Sequence, residues 1–428
     1  MNRRRFLRGA GLAALGGPWF LSGSSLGRGA APPSDRVTVG CIGVGGRGWA
    51  DMTTFLHASQ VVAVADPLQG RREAAKSTAD LHYADQLAKG NYKGCAAYRD
   101  FRDIIARDDI DAVAVCTPDH WHAIPSILAA KSGKDVFCEK PLSLTVAEGR
   151  AICNAVKRYG RIFQHGTQRR CEHGFRFACE LVRNGRIGKL HTVRVTSEPS
   201  HPCGNDRPAP IPEGFDYDLW LGPAPWVPYS PNRVRTPYWY WIADYTIGFI
   251  SGQGVHFTDV AQWGIDADET GPVEIEGRGE FARDGLCDTA IAWNVEMRYA
   301  NGLKLVYSDD RRAPMGVYFE GTEGEVYALC GGIDAKPHSL MGSVIGSSEI
   351  HLHPSGSHIV DFVECVRSRR QTAAPVEAAH RATSICHLAH IAILTGRKLR
   401  WDPVREVFPD DPDANRLLSK ATREPWRV

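Results

Sequence analysis

The stretch VTVGCIGVGGRGWADM, Val37–Met52, decides how the rest of the chain is read. It opens on a nearly continuous, β-branched apolar run, the composition of a strand covered on both faces in a parallel sheet. Where the run stops, Gly43, Gly45 and Gly48 fall at the spacing G-x-G-x-x-G, and a segment compatible with helix begins. In that order each glycine has a task. Gly43 permits the tight turn, Gly45 lets backbone N–H groups approach a pyrophosphate, and Gly48 lets the helix pack close to its strand.

Working outward, three further runs share this character: VVAVAD (61–66), DAVAVCTP (111–118) and DVFCEKP (135–141). Polar stretches of helical composition separate them, such as QGRREAAKSTADLHY and HAIPSILAAKSGK. Strand alternating with helix predicts a doubly wound α/β unit, a Rossmann parallel sheet over residues 35–157. VVAVAD ends on Asp66, where a carboxylate would accept hydrogen bonds from the adenosine ribose hydroxyls and repel a 2′-phosphate. NAD is therefore expected, and Arg71 and Arg72 nearby leave NADP open.

At 428 residues the chain asks for two domains rather than one core. Its 43% apolar and 23% charged content is that of an ordinary globular protein. A net charge of +2 gives no reason to expect nucleic acid or a membrane surface as partner. The twelve cysteines are scattered, with no C-x-x-C and no Cys/His set at zinc spacing, so neither an essential disulfide nor a metal is expected. The start is the compositional outlier. Arg3, Arg4 and Arg5 precede Phe6-Leu7, a short Gly/Ala-rich apolar middle and small residues up to Ala31. Residues 1–31 read as an export signal of the twin-arginine type, which carries folded proteins, and a bacterial periplasmic location is expected.

Two strand ends carry residues poorly suited to a core: CTPDHWHA (116–123) and CEKPLSLT (138–145). Carboxyl ends of strands line the ligand crevice of an open parallel sheet. Together with the glycine motif and GVHFTDVAQW (254–263), they give a chain that resembles the Gfo/Idh/MocA oxidoreductases, a family of sugar and polyol dehydrogenases. The resemblance covers nearly everything after the signal. It implies a second, α+β domain over 158–400 with a large open, mostly antiparallel sheet, helices that return to the first domain, and a tail at 401–428. The residues agree: 189–197, 288–309 and 316–329 alternate as strands, and 359–370 and 377–396 have apolar positions at helical spacing.

The resemblance also implies a site. The dinucleotide would meet Gly43, Val44, Gly45, Gly46, Arg47, Gly48, Asp66, Thr117, Pro118, His120, Trp121, His122, Glu139, Lys140 and Gln168. Lys140 would stand beside the substrate hydroxyl and the nicotinamide, aimed by a cis bond to Pro141. An ordinary lysine, with pKa about 10.4, stays charged, but burial can bring it toward about 7–8. His256 would be the general base or proton relay, and Asp259, three residues on, would share its helix face as the third catalytic group. Arg169, Tyr238, Trp241 and Asp244 complete the expected substrate contacts with Lys140 and His256. One position departs from the family pattern. Many members carry an aspartate four residues before the histidine, and here that position is Gly252. Asp244 is the nearest upstream carboxylate. The segment 198–247 is too rich in proline for one regular element, and its aromatic residues, with Tyr238, Trp239 and Trp241 as candidate platforms, suit either sugar faces or the stapling of a long loop.

The activity implied is hydride transfer between a secondary alcohol of a sugar or cyclic polyol and a tightly bound NAD(P), in a homo-oligomer (dimer or tetramer). The alternative is a redox-neutral NAD-dependent glycoside hydrolase that oxidises, eliminates, adds water and reduces again. Third is a carbohydrate-binding protein without catalysis.

Overall fold

In the computed structural model, which describes residues 36–311 and 313–427, the opening run forms β1 (Thr38–Ile42). The expected signal at 1–31 lies outside the described residues. β1 is joined by β2 (Gln60–Ala65), β3 (Ala96–Tyr98), β4 (Ala112–Val115), β5 (Asp135–Cys138) and β6 (Phe163–His165). They make one six-stranded sheet in the order β3-β2-β1-β4-β5-β6, parallel at every pairing. All of β4 and β5 is buried, which is why these runs show no polar alternation. The sheet continues past the boundary expected at 157, because β6 pairs with β5. Its three residues were too short a run to stand out.

Strand order reverses between β1 and β4, so a crevice opens beyond their carboxyl ends. The helix α1 (Arg47–Ala58) starts there directly after Gly46, with no side-chain cap on its first N–H groups. The Gly48 N–H turns back to the Gly45 carbonyl (2.9 Å), and the remaining first-turn donors have no side-chain partner. By contrast α2 (Val146–Tyr159) has a full capping box, Thr145 with Glu148, and ends on left-handed Gly160.

The second sheet holds β7 (Leu190–Ser197), β8 (Glu274–Phe281), β9 (Ala290–Arg298), β10 (Lys304–Asp309), β11 (Gly316–Gly321), β12 (Glu325–Leu329), β13 (Gly332–Lys336) and β14 (Leu399–Arg400). Its order is β13-β12-β11-β7-β10-β9-β8-β14, antiparallel except where β10 runs parallel to β7. Alternate residues such as Val193, Val195, Leu305, Tyr307 and Phe319 bury one face beneath α3 (Val255–Gly264) and α4 (Val376–Thr395). α4 also packs on α2 of the first domain, the return that the resemblance implies.

The expected tail is anchored within the described residues, where Trp426 packs edge-on to Trp121, 4.7 Å between ring centres, against the first domain. No essential disulfide was expected; the structure nevertheless joins Cys203 to Cys287, with Cα atoms 5.5 Å apart at a sequence separation of 84. No local spacing could have paired them.

Between β7 and α3 the chain forms a long strap with two short helices, Tyr217–Leu221 and Phe249–Gly252, and tight turns at Asn232–Val234 and Tyr238–Trp241. Its own aromatic cluster includes Tyr217, Trp220, Trp239 and Tyr245. It is fastened to the first domain where the Gln69 N–H donates to the Gly214 carbonyl (2.8 Å) and the Asp216 N–H to the Pro67 carbonyl (3.1 Å).

Candidate active site

The glycine turn needs its glycines. Gly43 has φ +81°, and a Cβ there would stand 2.7 Å from the Cys116 carbonyl oxygen. A Cβ on Gly48 would run into the Gly43 carbonyl itself. At the end of β2, buried Asp66 accepts from the backbone N–H groups of Val44 (3.1 Å) and Leu68 (2.9 Å). Its carboxylate is therefore fixed beside the turn. Burial raises its pKa, with Arg71 and the two backbone donors opposing. The Arg71 guanidinium lies against Gly45 and is the nearest cation to that carboxylate's side of the turn.

From this turn one cleft runs to Lys140. The first domain supplies Thr117, Pro118, Asp119 and Glu139, and the strap supplies Trp220, Trp239 and Tyr240 opposite. Thr117 Oγ1 and Asp119 Oδ2 are buried there without a hydrogen-bond partner. Close-approach glycines, uncapped N–H groups, a fixed carboxylate at the second strand and unspent polar atoms are what a dinucleotide requires, so the residues fit NAD.

Lys140 is half-buried, and its Nζ donates to the carbonyl of Gly252 at 2.7 Å. The Tyr240 ring centre is 5.8 Å away, and the bond to Pro141 is cis. Burial draws the ammonium below its ordinary pKa, with Glu139 and Asp119 pulling the other way. Just behind, Arg47 bridges Asp51 (2.8 Å) and Glu139 (3.3 Å) and approaches His358 at 3.5 Å. The cation of this group is the guanidinium. Burial and the Glu139 charge push the Asp51 carboxyl up to about 8.

His256 is buried on α3 with Nδ1 3.4 Å from Thr167 Oγ1. Burial, then Lys140 and Arg169, depress its pKa far below the usual range, so the ring is neutral at working pH. His165, at the end of β6, adds to that depression and has both ring nitrogens buried without partners. It was not singled out from sequence, where a histidine ending a short strand carries no signal.

Other expected residues are placed differently. Both oxygens of Asp259 are taken by Arg170 at 2.8 Å, and Arg170 also pairs with Asp268, so this carboxylate is a buried counter-ion. The helix face it shares with His256 does not bring the two into contact. His122 sits between the carbonyls of Pro141 (2.5 Å) and Thr117 (2.8 Å), bracing both turns, and His120 meets the Trp220 carbonyl at 3.1 Å. They support the cleft wall. Only Trp121 of the three lines the cleft, its indole N–H donating to the Trp220 carbonyl at 3.0 Å. Gln168 caps the short turn Arg169–Cys171 and is not part of the cleft lining. Arg169 pairs with Glu172 (2.8 Å) over the Phe257 ring on α3. Tyr238 and Trp241 pack with Phe249 and Cys287 around the disulfide, whereas their neighbours Trp239 and Tyr240 face the cleft. Asp244 faces Lys420 at 3.8 Å.

Comparison with known proteins agrees with this geometry. Residues 37–167 match the family model described as the oxidoreductase family's NAD-binding Rossmann fold, and 203–428 match its C-terminal alpha/beta domain. The chain is 30% identical to myo-inositol 2-dehydrogenase of Thermotoga maritima over 240 residues, 54% of this chain and 60% of that protein. It is 32% identical to a glycosyl hydrolase family 109 protein of Shewanella baltica over 219 residues, 44% of each. The fold is similar to levoglucosan dehydrogenase solved with NADH and levoglucosan, at TM-score 0.59 and 18% identity, covering 85% of this chain and 99% of that one. With both domains matched, this chain belongs to the Gfo/Idh/MocA family of NAD-binding oxidoreductases.

Proposed function

We propose that the protein moves a hydride between a secondary alcohol of a sugar or cyclic polyol and a retained NAD. The observation that carries this reading is Lys140: a half-buried amine, pinned by the Gly252 carbonyl, at the far end of the cleft that begins at the glycine turn. A nicotinamide bound there supplies a hydride acceptor or donor. The chain's residues do the rest. The glycine turn and the open N–H groups of α1 bind pyrophosphate, and Asp66 holds ribose hydroxyls, which favours NAD over NADP. Lys140, drawn toward neutrality by burial, takes the hydroxyl proton, and the ring N–H of neutral His256 donates a hydrogen bond to the oxygen that loses it. Trp220, Trp239 and Tyr240 close the cleft against water and hold the cofactor in.

Retention suits the twin-arginine signal read at 1–31, by which a loaded, folded protein would reach the periplasm. The open face of the second sheet, with Tyr318 and Tyr327 paired across β11 and β12, is the proposed contact of a dimer or tetramer, which light scattering would test.

A second reading, redox-neutral glycoside cleavage, is favoured by the similarity to the family 109 hydrolase and by a backbone carbonyl where a relay carboxylate was expected. The deciding experiment incubates the purified protein, without added NAD, with free polyols and with aryl glycosides. Aglycone release with no net nicotinamide absorbance change would sink the dehydrogenase. A lasting absorbance rise with polyol and intact glycosides would sink the hydrolase. Under either reading Lys140→Ala and His256→Ala should each slow turnover by about 10²–10⁴-fold; unchanged turnover removes that residue from the mechanism.

A further inference from the structure

Lys140 must pass on each proton it takes. The Gly252 carbonyl that holds its Nζ can orient an ammonium but cannot accept a proton covalently. Most nearby groups are already committed. Asp259 is spent on Arg170, Asp51 and Glu139 share Arg47, and Asp244 faces Lys420. His256 sits among cations that resist its protonation. Asp119 is left. It is 2% exposed, it lines the same cleft as Lys140, and its Oδ2 is buried without a partner among the described residues.

We infer that Asp119 is the carboxylate that relays the proton from Lys140, taking the role left open at Gly252. The inference rests on the oxidoreductase reading. As the alcohol carbon loses its hydrogen with the electron pair to NAD, the hydroxyl proton passes to the Lys140 amine. The resulting ammonium then gives a proton to Asp119 Oδ2 through a bridging hydroxyl or water, which restores the amine. The alcohol becomes a ketone, NAD is reduced by two electrons, and one proton rests on the carboxyl.

Asp119 is faced by Lys140 and Glu139 from the turn after β5, by Thr246 and Tyr240 from the strap, and by His120 and His122 on its own turn. Both histidines are held neutral by burial, at about 3 and about 4. Burial pushes the Asp119 carboxyl up to about 7, with Thr246 and Lys140 opposing. A proton acceptor must be ionised, so alcohol oxidation should rise as pH rises through about 7.

Because Asp119 acts through Lys140, it is a positioning residue, and its test needs more than a loss of rate. In the NAD-loaded protein, without substrate, the infrared difference between wild type and Asp119→Asn should contain a carboxylic-acid carbonyl band that disappears as pH rises through neutrality, the signals of Asp51 and Glu148 cancelling because both proteins share them. That variant should lose about 100-fold in kcat with KM within about threefold, and should lose the acidic limb of its pH profile. Asp119→Glu should recover part of both. A wild-type band unchanged in Asp119→Asn, or an unaltered acidic limb, overturns the inference. The band needs no turnover, so its presence in a protein that never reduces NAD with any polyol would sink the oxidoreductase reading instead.

Discussion

At the scale of single residues, Gly252 shows what the sequence could and could not convey. The missing carboxylate was legible as a departure from a motif. That the same residue still serves Lys140, through its carbonyl at 2.7 Å, was not, because backbone groups leave no mark in a side-chain pattern. Asp259 is the reverse case. Its spacing from His256 was read correctly as one helix face, but the bidentate partner that claims it, Arg170, comes from 89 positions away. The position at 252 has room: a Cβ would meet only ordinary contacts, Phe249 Cδ1 at 3.4 Å and Tyr240 Cδ1 at 3.6 Å. Gly252→Asp should therefore fold. Its carboxylate would stand beside Lys140 and favour the ammonium, raising that pKa by about one unit or more. The amine is the active form in oxidation, so the variant's limb for Lys140 should move to higher pH in a kcat profile. A profile identical to wild type would show that the new carboxylate does not reach Lys140.

At the scale of elements, the parallel sheet was legible almost strand by strand, since β1, β2, β4 and β5 are continuous buried runs between helical segments. The strap was legible only as something irregular. Its prolines excluded a regular element, yet which aromatic residues face the cleft is decided by a tight turn, Tyr238–Trp241, that sends its two central residues to the cleft and its two ends to the disulfide side, with Tyr240 touching both. That turn puts Trp239 and Tyr240, not Tyr238 and Trp241, at the site. The disulfide fastens the start of the strap to the loop before β9, closing a span of 84 positions. Removing a link over so long a loop costs about 4–5 kcal/mol by chain entropy. The aromatic cluster keeps the strap associated, so Cys287→Ser should fold but release its cofactor faster. Dilution of NAD-loaded protein, followed by nicotinamide fluorescence, should show dissociation accelerated about tenfold or more. An unchanged rate would mean that the strap stays closed by its own packing.

For the whole molecule, the pH response follows from histidines buried at and behind the domain junction. Burial holds His120, His165 and His387 near 3, and His122, His358 and His390 near 4. In the unfolded chain each would titrate near about 6.5. Their folded values are depressed, so between about 6.5 and 4 the unfolded chain binds protons that the native one refuses, and stability falls with pH. Carboxyls raised by burial act in the opposite sense, three of them strongly. Asp51 is raised to about 8, and Asp119 and Glu148 to about 7, so the native state binds their protons first and gains stability on acidification. The histidines outnumber these three, and a pKa unit is worth about 1.4 kcal/mol against a total stability of about 5–15 kcal/mol. The balance should fail before the folded histidine values are reached, giving an acid unfolding midpoint between about pH 4 and 6 by circular dichroism. His387 separates this account from general acid lability. It lies inside α4 where that helix joins the two domains, its ring facing the backbone of Ser143 and Leu144 in the first domain. His387→Leu removes the titration at the cost of those weak polar contacts, so its midpoint should move to lower pH while stability at pH 8 falls by no more than about 1–3 kcal/mol. If the midpoint stays where it was, protonation of this helix is not what opens the native structure.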